Sequence, residues 1–184
     1  RIGSTGQGIA PAYSDKAART GLRAGDLLDM SAFRERLAEV LAWKNRVLAG
    51  IYDHPPITAE EVLAEVEPAA EFLVPHIGDT VGPIHGAVIG GKRLLLEGQL
   101  GVMRDLDWGV YPYVTSSSPT PAGMAAGAGV PPQYVDRVIG VVKAYTTAVG
   151  AGPFSTELTG PEGALMRERG GEYGATTGRP RRCA

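Results

Sequence analysis

The chain is 184 residues long, 43% apolar and 21% charged, the composition of a globular domain able to bury a core. Its formal net charge of -2 supplies no global pull toward nucleic acid or an anionic membrane surface, and no apolar run approaches the roughly 20 residues of a spanning helix. The one cysteine, Cys183, can form no internal disulfide, which fits a reducing compartment; the chain begins at Arg1 rather than Met and reads as a fragment.

Residues 1 to 25 predict a glycine-rich loop, Gly3-Ser4-Thr5-Gly6-Gln7-Gly8, and a short helical turn. Ser31 is placed to cap a helix running to about Ala49, with Phe33, Leu37, Val40, Leu41 and Leu48 on one face. A second helix opens on a capping box from Thr58 to Glu61, with Ile57 as a staple before it, and Pro68 marks an end or a kink. After Pro83 a short helix through Ala87, Val88 and Ile89 breaks at Gly90-Gly91. Residues 93 to 97, Arg-Leu-Leu-Leu-Glu, read as a buried strand ending in a glycine turn, the place where open α/β sheets set ligand loops. Residues 99 to 130 hold few regular signals, and irregular stretches of that length are usually functional or disordered. Gln133 to Val142 reads as a helix, Ala144 to Val149 as a strand, and Pro161 to Arg169 as a helix. Helix and strand alternate, which makes the class α/β. The 26 glycines gather in loops between these elements rather than in a repeat.

Chemistry concentrates in four blocks. Gly174-Ala175-Thr176-Thr177-Gly178-Arg179-Pro180-Arg181-Arg182 sets guanidinium forks beside hydroxyls on a glycine-flexible loop suited to an anion, with a solvated basic tail as the plain alternative. Near the other end, Gly3 to Tyr13 precedes Asp15-Lys16 and Ala18-Arg19-Thr20-Gly21-Leu22-Arg23; its loop amides and the Thr5 hydroxyl suit a phosphate, although such a loop alone is mostly a tight turn. Between them lie Tyr111-Pro112-Tyr113-Val114-Thr115-Ser116-Ser117 and Lys143 to Phe154, which includes Val149-Gly150-Ala151-Gly152. His54, His76 and His85 are too scattered for a metal site, and no Ser/His/Asp or Cys/His arrangement is visible.

These blocks, in this order, resemble the adenylosuccinate synthetase family, through nearly the whole chain apart from residues 31 to 81, which carry no useful motif. The resemblance implies the central part of a P-loop-NTPase-like mixed sheet flanked by helices, one partial domain over residues 1–184, in a cytoplasmic homodimer. It implies a GTP-dependent ligase joining L-aspartate to IMP through 6-phosphoryl-IMP in AMP biosynthesis, with Mg2+ ligands, the catalytic aspartate and histidine and the phosphate-cradling loop expected before Arg1, and the guanine-specificity motif after Ala184. This chain alone is then expected to be inactive. Within it, Thr5 and Thr115 match ligands of the IMP phosphate, Arg19 an arginine reaching into the partner's IMP site, Val149 a ribose contact and Gln99 the IMP-contacting glutamine. Ala175, Thr176, Thr177 and Gly178 match the aspartate loop; Arg179 bridges IMP and aspartate, and Arg181 serves aspartate and the GTP side.

Three departures stand out. The family's Glu-Gly-x-Gln-Gly is here Glu97-Gly98-Gln99-Leu100-Gly101, which displaces the amide by one position and puts IMP handling in question. Trp108 stands where many members have His, and Pro180 interrupts the arginine run, stiffening a loop that orders around substrate. The other readings are a relative acting on another purine nucleotide and a non-catalytic nucleotide-binding or dimerisation protein.

Overall fold

The structure, a computed structural model, describes residues 5–184, so Gly3 and Ser4 of the first glycine loop lie outside it. Among the described residues there are six α-helices, α1 (Ile9–Ala18), α2 (Met30–Tyr52), α3 (Ala59–Leu73), α4 (Val81–Ile89), α5 (Pro121–Ala128) and α6 (Pro161–Arg169), and two short strands, β1 (Thr147–Ala148) and β2 (Arg182–Cys183). They group into two compact units. One is Pro11–Gly82; the other joins the N-terminal residues up to Ala10 with Pro83–Ala184.

The Pro11–Gly82 unit is helical. Its longest helix, α2, buries Phe33 and Leu37 and half-buries Val40, Leu41 and Leu48, the face that its apolar spacing predicts. The cap lies two residues earlier than expected: Asp29, not Ser31, accepts the backbone N–H groups of Ser31 and Ala32 at 3.0 and 3.1 Å. A carboxylate at that position satisfies two orphan donors and faces the positive end of the helix dipole, which a Ser31 hydroxyl two residues later, itself inside the first turn, does not do. In α3 the capping box forms as read, with Glu61 N–H on Thr58 Oγ1 at 3.2 Å and Thr58 N–H on Glu61 Oε2 at 2.7 Å. Pro68 sits inside α3, which continues to Leu73. The Asn45 side chain acts as a surrogate strand for Ile57, donating to its carbonyl and accepting from its N–H, both at 2.9 Å. Lys44 pairs with Asp15 at 2.6 Å, and Arg34 of α2 pairs with Glu67 of α3.

The other unit holds the sheet, a single antiparallel pair with Thr147 opposite Cys183 and Ala148 opposite Arg182. Its buried residues, among those described, are few: Asp105 and Cys183, which are fully enclosed, with Ala125, Val130, Gly163 and Glu172. Two sequence expectations are corrected here. Residues 93 to 97 form no strand among the described residues, and Leu95 is 87% exposed, because a strand exists only where its backbone finds a ladder partner. Residues 133 to 142 form no α-helix beyond a 3-10 turn at Pro132–Tyr134. Val135, Val138, Ile139, Val141 and Val142 lose χ1 freedom in a helix, and Gly140 costs backbone entropy there. The strand expected over 144 to 149 shortens to β1. Helices α4, closed by Gly90-Gly91, and α6 agree with their reading, whereas α5, capped by Thr120 inside the long irregular stretch, was not foreseen.

Candidate functional site

The antiparallel register of β1 and β2 lays the turn 149–152 beside Arg182. The Arg182 guanidinium is used on every side: Nε and Nη2 donate to Glu157 Oε2 at 2.7 and 2.5 Å, Nη1 donates to the Gly152 carbonyl at 2.9 Å, and the plane lies 5.3 Å from the Phe154 ring centre. The hydrogen bond from Arg182 leads the causes that hold the Glu157 carboxyl below its ordinary value, with burial opposing it. Gly152 adopts φ 113°, and a Cβ there would stand 2.7 Å from Cγ of Tyr113. Only glycine lets this turn close on the Tyr-Pro-Tyr-Val segment, so two motifs separated in sequence are packed together.

That segment is shaped by its neighbours. Thr115 N–H bonds the Arg104 carbonyl at 2.8 Å, Leu106 N–H bonds the Ser117 carbonyl at 3.2 Å, and Arg104 Nη1 donates to the Tyr113 carbonyl at 2.6 Å. Between them Asp105 is wholly buried, its Oδ1 accepting the Asp107 and Trp108 N–H groups at 2.9 and 3.1 Å. Burial works to raise its pKa; the two amides and the nearby hydroxyls of Ser118 and Thr120 outweigh it, and the carboxyl titrates below its ordinary value. Thr115 itself is half-buried.

The arginine loop is a hairpin. Tyr173 bridges Pro180, Gly174 N–H bonds the Arg179 carbonyl at 2.8 Å, and Gly178, at φ 62°, donates to the Gly174 carbonyl at 2.7 Å. Residues 175 to 180 are exposed, and no hydrogen bond or ion pair engages the Arg179 guanidinium among the described residues. Beneath the hairpin Glu172, 4% exposed, accepts from Tyr145 Oη at 2.6 Å, Lys143 Nζ at 2.9 Å and Arg181 Nη1 at 2.8 Å. The Tyr145 and Lys143 donors bring its pKa down to about 2 against the effect of burial, with Arg181 adding to the shift. The same bond to Glu172 leads the causes that push the Tyr145 hydroxyl up.

Thus Thr115, Val149, Gln99, residues 175 to 178, Arg179 and Arg181 all fall in one unit, where the turn 149–152 touches both Tyr113 and Arg182. Thr5, exposed between loop residues and followed by Gly6 at φ 71°, is grouped with that unit, whereas Arg19 belongs to Pro11–Gly82. Arg19 follows α1 with φ 63°, a conformation that costs a side chain energy, and is exposed. Gln99 is exposed, and the turn after it closes by Gly101 N–H on the Gln99 carbonyl at 3.0 Å with Leu100 at φ 73°. Glu172, Glu157 and Asp105 escaped the sequence reading. Nothing local marks Glu172, whose donors stand 29, 27 and 9 residues away.

Chemically, the hairpin offers an exposed guanidinium at Arg179 with no partner among the described residues, two exposed threonine hydroxyls and an anchored guanidinium at Arg181 whose side chain is 31% exposed, a set matched to carboxylates. Among the described residues no group of three or more His, Cys, Asp or Glu is arranged to hold a metal ion, and no helix is long and apolar enough to cross a membrane.

The family model described as adenylosuccinate synthetase matches residues 1–184. Adenylosuccinate synthetase of Moorella thermoacetica is 53% identical over 182 residues, 99% of this chain and 43% of the relative, and that of Synechococcus sp. (strain RCC307) is 54% identical over 183 residues, 100% of this chain and 42% of the relative. The solved structure of fully ligated adenylosuccinate synthetase from Plasmodium falciparum superposes with a TM-score of 0.91 at 38% identity, covering 100% of this chain and 42% of that one. The chain therefore spans somewhat under half the length of the relatives it matches. With a family model matched from its first residue to its last, the chain belongs to the adenylosuccinate synthetase family.

Proposed function

We propose that this chain supplies the IMP- and aspartate-holding part of a GTP-dependent ligase that joins L-aspartate to IMP in AMP biosynthesis. In that reaction the γ-phosphoryl group of GTP passes to O6 of IMP as the N1 proton leaves to a base outside this chain, and the aspartate amine then displaces phosphate from C6. The chain's own residues bind and orient, which is the larger share of catalysis in phosphoryl transfer. Thr5 and Thr115 hold the IMP phosphate, Val149 meets the ribose through its backbone, and Gln99 lies near the nucleotide. The amides and hydroxyls of residues 175 to 178 receive the aspartate carboxylates, Arg179 bridges aspartate and IMP, and Arg181 serves aspartate and the GTP side.

The observation that carries this reading is the division of labour at the hairpin: Arg181 and Arg182 are tied to Glu172 and Glu157, and of the three only the Arg179 guanidinium has no partner among the described residues. A guanidinium on a glycine-closed tip with two threonines is suited to a dicarboxylate. The wider protein in this proposal is a cytoplasmic homodimer with a P-loop-like mixed sheet, and Arg19 crosses to the partner's IMP site. The strained backbone at Arg19 supports that role, since such strain collects where function requires it. The magnesium ion that the family implies takes its ligands from outside this chain, and among the described residues no group of three or more His, Cys, Asp or Glu is arranged to hold one.

In the full-length protein, Arg179→Ala raises the KM for aspartate at least about tenfold, the loss of a charge-assisted hydrogen-bond pair, and leaves the dimer intact. Unchanged steady-state kinetics would overturn the assignment. Arg19→Leu mixed with Arg179→Ala restores part of the activity through heterodimers if the site is shared, and no restoration removes Arg19 from it. One observation favours a second reading: Leu100, 58% exposed at positive φ, occupies the place of the family's glutamine, which suits a relative taking a different purine nucleotide.

A further inference from the structure

We infer that Glu172 is the positioning residue of Arg181, holding its guanidinium in place for an incoming carboxylate. The inference rests on the reading of Arg181 as an aspartate ligand. Glu172 is buried, yet it takes three donors, and both carboxylate oxygens are engaged: Oε1 by Lys143 and Tyr145, Oε2 by Arg181. The arginine is held at its backbone as well, its N–H on the Glu172 carbonyl at 2.9 Å and its own carbonyl accepting from Arg167 Nε at 2.7 Å. Glu172 consumes one of the five guanidinium donors, and the side chain keeps 31% exposure for a ligand. The Nε of Arg181 is buried and has no hydrogen-bond partner among the described residues.

Lys143 explains why the carboxylate does not cancel the charge it positions. One carboxylate between the two cations Lys143 and Arg181 leaves one positive charge on the cluster. The hub also reaches the nucleotide side, because Lys143 donates to Thr147 of β1 at 2.5 Å, two residues before Val149. A long arginine side chain fixed before binding loses less rotamer freedom when its ligand arrives, and its contribution then falls on aspartate affinity rather than on folding alone.

The test is steady-state kinetics of the full-length protein. Glu172→Gln keeps the shape and removes the charge; the KM for aspartate rises about tenfold, while kcat and the KM for IMP stay within about twofold. Tyr145→Phe, which removes one donor to Glu172 and no charge, gives the same selective rise at smaller size and serves where Glu172→Gln folds poorly. In the Arg181→Lys background, Glu172→Gln adds less than about twofold, the non-additivity of residues acting as a unit. Equal rises in the KM values for aspartate and IMP, or full additivity in the double variant, would make Glu172 a structural residue and overturn the inference. Arg181→Lys with unchanged aspartate KM would instead sink the reading beneath it.

Discussion

Arg182 and Glu157 close an ion pair at 2.5 Å, and the same guanidinium holds the Gly152 carbonyl at 2.9 Å, so one side chain fastens the turn 149–152 to the end of the chain. Arg182→Met therefore loosens the turn expected to meet the ribose. In the full-length protein the KM for IMP rises several-fold, more than that for aspartate, and the melting temperature falls by several degrees. Equal losses for both substrates would contradict this division.

Arg19 pays for its φ of 63° in strain. Arg19→Gly relieves about 1 kcal/mol of left-handed strain, and the extra freedom of an unfolded glycine returns roughly 0.4–1 kcal/mol. Thermal unfolding of the variant thus stays within about 1 kcal/mol of the parent, while kcat/KM for IMP drops by an order of magnitude or more. A marked loss of stability with intact kinetics would show Arg19 to be a structural helix terminus.

Glu172 carries a pKa of about 2 in the fold against 4.5 for the free side chain. A carboxyl depressed on folding adds stability that is complete above its unfolded pKa and vanishes as pH falls through the folded one. Acid titration of the full-length protein consequently loses this contribution between about pH 4.5 and pH 2, and Glu172→Gln flattens that part of the curve. A parent and a variant with identical acid limbs would show that the ion pairs are not formed in solution.

Gln99 and Leu100 give a swap. Gln99→Leu with Leu100→Gln restores the family's amide order, and the KM for IMP falls several-fold if the displaced amide weakens nucleotide contact. No change in IMP affinity would show that the turn at Leu100 already brings Gln99 to the nucleotide.

Helices were legible where their signals are local. Thr58 and Glu61 cap α3 through bonds spanning three residues, and the apolar spacing of α2 buries Phe33 and Leu37. Residues 93 to 97 and 133 to 142 were misread because apolar runs name neither a partner strand nor a helix period. Of the candidate site, the anion reading of residues 174 to 182 rests on hydroxyls, glycines and guanidinium groups in one short loop, whereas the roles expected of Thr115 and Val149 rest on the family resemblance.

What the sequence alone determined is the residue types of the anion loop, the glycine at position 152 that a tight turn requires, and the family. Which arginine is free and which is anchored was decided by tertiary structure. Arg179, Arg181 and Arg182 are chemically alike in sequence, and they part only because Glu172 and Glu157, 9 and 25 residues from their arginines, fold beneath two of them and not the third. Charge pairing acts through space over a few ångströms, a distance that sequence separation does not encode.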